Sequence, residues 1–144
     1  MLYKDRKLKK GFTLIEALLT IIIISIVVLM AIPSLNSTGA RVRTVSRQII
    51  DDMRYARTKA VTDGKNIIVD FTNPTKYVIM YDDGTKIKEY NYPHQIECKA
   101  TPTTFTYQKI GSASSNGNLI VSKDEYTMTV NVIGSTGMVH LSGS

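Results

Sequence analysis

Residues 12–32 are apolar or neutral at every position except Glu16. The run at 21–24 is four isoleucines, followed by Ser25, Ile26, Val27, Val28 and Leu29, and carries no polar stripe. This pattern predicts a helix that is apolar all round, as a lipid-facing helix must be. Twenty-one residues rise about 32 Å, against about 30 Å of hydrocarbon in a bilayer. Pro33 ends the run. It lacks a backbone N–H and clashes with the carbonyl of Leu29, so the helix stops or kinks there. From 40 to 63 a second, amphipathic pattern follows. Val42, Val45, Ile49, Met53, Ala56 and Ala60 recur at three and four residues and form one apolar face. Arg43, Arg47, Asp51, Arg54 and Lys59 fall mainly off it, and Gly64 is placed to close the helix. The apolar face is expected to pack on a sheet.

After Gly64 the period shortens to strands and turns. Residues 66–71, 76–81, 86–90, 103–109, 119–122, 126–133 and 138–141 read as strands. Asn73-Pro74-Thr75 is a turn, and Asp82-Asp83-Gly84-Thr85 a hairpin turn. The polar stretch 111–117, "GSASSNG", is expected to be a mobile loop. The fold class is therefore α+β: a long N-terminal helix, its first half transmembrane, packed on antiparallel sheet. Four segments follow: a basic leader (1–11), a transmembrane and assembly helix (12–33), its amphipathic second half (34–64), and a β region (65–144).

Charge changes this picture at one place. The net charge is +6. Lys4, Arg6, Lys7, Lys9 and Lys10 stand against Asp5 in the leader, so +4 of it sits there and only +2 in the rest. Bulk charge thus gives no argument for a nucleic-acid partner. The leader's basic residues place the N-terminus on the cytoplasmic side, with the bulk of the chain across the membrane. A secretory signal has a shorter apolar core and ends at a small-residue cleavage site. Here the run is longer, and the small residue, Gly11, stands before it. The single cysteine, Cys98, excludes an intrachain disulfide, and it reads as a small buried hydrophobe. His94 and His140 are isolated. No paired carboxylates, nucleophile elbow, phosphate loop or EF-hand spacing is visible, so neither catalysis nor a metal or other cofactor is expected.

The segment Lys9-Lys10-Gly11-Phe12-Thr13-Leu14-Ile15-Glu16 resembles the type IV prepilin family, the pilins and pseudopilins. The shared order is a basic leader, Gly, Phe, a glutamate fifth from the Phe, and a long apolar helix. The later stretch "RYARTKAVTDGKNIIVDF" (54–71), with "YVIMYDDG" and "GSTGMV", resembles the H-type minor pseudopilins and minor pilins, the GspH/FimT-like group. The resemblance implies two small antiparallel sheets against the helix. It implies cleavage between Gly11 and Phe12 by a membrane prepilin peptidase, with methylation of the new Phe12 amine by the same enzyme. It also implies that Glu16 meets the N-terminal amine of an adjacent subunit and that Pro33 marks a helix break. A carboxylate inside the membrane is costly unless paired. The implied partners are the peptidase, other pilin subunits and the lipid of the cell membrane. The implied location is a single-pass membrane precursor, then a pilus or pseudopilus. The implied function is a structural subunit of a type IV pilus, secretion or competence fibre, not an enzyme. A membrane-tethered binding module, such as a DNA-uptake receptor on the same scaffold, is the alternative. The near-neutral mature charge weighs against it.

Overall fold

The first helix, α1, runs Leu14–Ala31. The structure, a computed structural model, describes residues 12–31, 38–93 and 95–142. The leader with Gly11, the helix-breaking Pro33 and His94 lie outside the described residues. Phe12 and Thr13 precede the first turn of α1, so the helix is shorter than the apolar run that forms it. Its 18 residues rise about 27 Å. Among the described residues no helix is long and apolar enough to cross a membrane. Leu14, Ile15, Leu18, Leu19, Ile21, Ile22, Ile23, Ile24, Ile26, Val27 and Val28 are all exposed. The two hydroxyls of the helix turn inward: Thr20 Oγ1 donates to Glu16 O at 2.7 Å and Ser25 Oγ to Ile21 O at 2.7 Å. Back-bonding of this kind hides polar groups that an apolar medium would not satisfy.

Residues 37–144 form a separate compact unit. It opens with α2, Thr38–Asp63. The six apolar-face positions read from the sequence are all buried there, together with Ile50, Ser46 and Asp52. Gly64 takes φ +63° and Lys65 N donates to Ala60 O at 3.2 Å, the left-handed close that glycine allows.

Eight strands follow: β1 Ile67–Asp70, β2 Lys76–Tyr81, β3 Lys86–Asn91, β4 Glu97–Thr101, β5 Thr104–Tyr107, β6 Gly117–Lys123, β7 Tyr126–Ile133 and β8 Met138–Leu141. They make two antiparallel four-stranded sheets, in the orders β3-β2-β1-β5 and β4-β6-β7-β8. Alternate residues of the strands point at the core: Ile67 and Val69, Tyr77 and Ile79, Phe105 and Tyr107, Leu119 and Val121, Val130 and Val132. α2 lies against β1, β5, β6, β7 and β8, so its apolar face serves both sheets. Each such side chain, fully buried, contributes about 1.5–3 kcal/mol. The α+β expectation of a helix on small antiparallel sheets holds for this unit.

Two readings of the chain need correction. β4 was not expected: in "ECKAT" Cys98 alone is buried, and the strand is held by its ladder to β6. The stretch 111–117 is not a free loop. Ala113 bridges Tyr107, Ala113 N donates to Gly134 O at 2.8 Å, Ser114 N to Thr106 O at 2.9 Å, and Gly134 N to Asn116 Oδ1 at 2.7 Å. Those bonds tie it to β5 on one side and to the β7–β8 turn on the other.

Candidate functional site

Phe12 and Glu16 lie at the start of α1. Thr13 caps this helix: Glu16 N bonds to Thr13 Oγ1 at 3.3 Å and to Thr13 O at 3.1 Å. Thr13-x-x-Glu16 is the sequence pattern of an N-terminal cap. A carboxylate in the first turn also complements the positive end of the helix dipole. The Glu16 carboxylate has no hydrogen bond or ion pair among the described residues. Phe12 is 74% exposed. The N-terminal turn thus presents an apolar ring and an unpaired acid to whatever surrounds it.

The second polar feature is inside the 37–144 unit. Asp52 is buried on the apolar side of α2. Tyr77 Oη of β2 donates to Asp52 Oδ2 at 2.5 Å, Lys88 Nζ of β3 to Oδ1 at 2.7 Å, and Gln48 Nε2 to Oδ1 at 3.1 Å. Burial, then the Asp52 carboxylate, pushes the Tyr77 phenol far above its ordinary range, so it stays a donor. A small cavity of about 290 Å³ beside the pair is lined by Asp52, Tyr55, Ile87 and Lys88. This cluster pins the β2–β3 hairpin to α2. Asp52 is a residue that the sequence pattern did not single out. The signal was available: position 52 falls three residues after Ile49 and four before Ala56, on the apolar stripe.

The other candidates sit apart. Cys98 is buried, and burial pushes its thiol up to about 11. His140 is exposed on β8. Asp83 Oδ1 accepts from Thr85 N at 2.8 Å and Gly84 takes φ +86°, so the acidic triplet 82–84 builds a hairpin turn. Among the described residues no group of three or more His, Cys, Asp or Glu is placed to hold a metal.

A helix packed across two antiparallel sheets, following in sequence an apolar helix that is preceded by Phe12 and carries an exposed Glu16 in its first turn, is the arrangement of a pilin-like subunit. The prokaryotic N-terminal methylation motif matches residues 6–32. The family of type II transport protein GspH matches residues 45–137, well over half of the chain. The chain belongs to the GspH family. Among solved structures it is similar to the type IV minor pilin FimU of Pseudomonas aeruginosa (strain PAO1) in two crystal forms. One has a TM-score of 0.61 at 12% identity, covering 71% of this chain and 88% of that one. The other has a TM-score of 0.59 at 12% identity, covering 70% and 92%. The minor pseudopilin EpsH from the type 2 secretion system of Vibrio cholerae gives 0.58 at 9% identity, covering 72% and 97%. At such identities the likeness is one of fold. No curated protein matches the chain significantly.

Proposed function

We propose that this protein is a minor pilin or pseudopilin, a structural subunit made as a membrane precursor and drawn into a fibre by its N-terminal helix. The observation that carries the reading is the order of two matches on one chain: a methylation motif at 6–32 followed directly by a GspH domain at 45–137. The precursor is cut between Gly11 and Phe12 and methylated on Phe12. Cleavage removes most of the positive charge and leaves an apolar helix at the new terminus. The apolar run continues in sequence through Ile32, past the end of α1, which supports a single-pass anchor with its N-terminus in the cytoplasm. In the fibre Glu16 pairs with the Phe12 amine of an adjacent subunit. Two buried charges offset their desolvation only in good register, so the pair sets axial position. The role is structural: the chain is a substrate of the peptidase rather than a catalyst. Mass spectrometry of the mature protein tests this. The expected N-terminus is N-methyl-Phe12; assembled protein that still begins at Met1 would overturn it.

A further inference from the structure

α2 carries a row of arginines that the processing and assembly of α1 do not use. Arg43, Arg47 and Arg54 are four and seven residues apart, so they share one side of the helix. All three are exposed. Arg43 and Arg47 make no hydrogen bond or ion pair among the described residues. Arg54 spends one donor on Val139 O of β8, at 3.2 Å. That bond sets a wall: α2 on one side, the edge strand β8 on the other. Between them lies a groove of about 390 Å³, lined by Arg47, Ile50, Asp51, Arg54, His140 and Leu141. Its floor is apolar, since Ile50 is 5% exposed and Leu141 packs against the core. Its rim is cationic. Asp51 is the opposing charge, 3.8 Å from Arg54 with both side chains mostly in water, so the rim keeps two guanidiniums against one carboxylate.

We propose that this groove between α2 and β8 docks a carboxylate-bearing segment of a neighbouring fibre subunit. The chemistry selects a peptide in two ways. The guanidinium of Arg47 offers a full fork of donors to a carboxylate. The Ile50 and Leu141 floor takes an adjoining aliphatic side chain. A flat phosphate surface needs only the first of these. The neighbour's identity rests on the subunit reading above; the groove itself does not.

The test is a titration of the full chain in zwitterionic detergent, followed by NMR at the Arg47 and Arg54 side chains and the His140 amide. The probes are an acetylated peptide amide of sequence Ala-Glu-Leu-Ala, its Gln counterpart, and inorganic phosphate. The Glu peptide is expected to shift all three sites, the Gln peptide to leave them unmoved. Arg47→Glu with Arg54→Glu is expected to weaken the Glu peptide by about tenfold, since each exposed contact turns from attraction to repulsion. The amide spectrum of the variant checks that the fold survives, and the Glu-against-Gln comparison needs no variant. Equal shifts from both peptides overturn the proposal. So do shifts from phosphate with none from either peptide, which would assign the rim to a phosphate surface. Because this readout involves no cleavage or assembly, its failure leaves the subunit reading standing, and the reverse holds too.

Discussion

Asp52 receives hydrogen bonds from Gln48 on its own helix, Tyr77 on β2 and Lys88 on β3. A buried carboxylate is stable there because each partner is a donor, one of them cationic. Its removal leaves the Tyr77 hydroxyl and the Lys88 ammonium without an acceptor. Lys88 is 39% exposed and recovers some solvation, so the loss stays below that of a wholly buried pair. Asp52→Ala is expected to cost about 2–3 kcal/mol, a fall in Tm on the order of 10 °C. Asp51→Ala, one residue away on the water side, should stay within about 0.5 kcal/mol. Thermal unfolding by circular dichroism compares them; equal effects would refute the role given to Asp52.

At the scale of elements, β3 is an edge strand whose charges hold it to β2. Lys76 Nζ reaches Glu89 Oε1 at 2.8 Å and Lys86 pairs with the other oxygen. The Lys76 contact first, then Lys86, holds the Glu89 carboxyl down to about 2, against an ordinary 4.5. A depressed acid stabilises the fold above its unfolded pKa, and that stability is lost as pH falls through the folded value. The hairpin should therefore weaken between about pH 4.5 and 2. Glu89→Gln should flatten the dependence in that window, as read by acid unfolding. An unchanged slope argues against the clamp. The same strands show what a sequence reveals. β2, β7 and β8 were legible to the residue, because alternation is strong where one face is buried. β4 was not, since its alternation is carried only by the small side chains of Cys98 and Ala100 between Glu97, Lys99 and Thr101. The Ser/Gly-rich 111–117 stretch looked free because its bonds run outside the stretch, to Thr106 and to Gly134, the latter remote in sequence. Glu16 stood out as an acid in an apolar run, whereas Asp52 was masked by Asp51 beside it.

At the scale of the whole molecule, two jobs are divided between two stretches of chain. The 37–144 unit carries its own core, while α1 exposes its apolar side chains and one unpaired acid. A change in α1 should therefore alter assembly without touching the fold of the rest. Glu16→Ala is expected to be cleaved normally and to keep the unfolding temperature of the parent. Losing one partner of a buried charge pair costs about 3–5 kcal/mol, so its share in sheared fibres should fall by at least about tenfold. Parental incorporation would refute the pairing.

The stitched 111–117 segment also decides where a label can go. By composition it looks like the natural place to insert an epitope or a dye. Yet a Cβ at Gly134 would lie 2.7 Å from the backbone of Ser115, and one at Gly117 2.5 Å from Thr101 O. Neither glycine has room for a side chain. The Asp82–Thr85 turn is the better handle: its residues are exposed, and nothing lies within 4 Å of a Cβ placed on Gly84. A reporter spliced there would hang from the tip of a hairpin, clear of both sheets' shared helix.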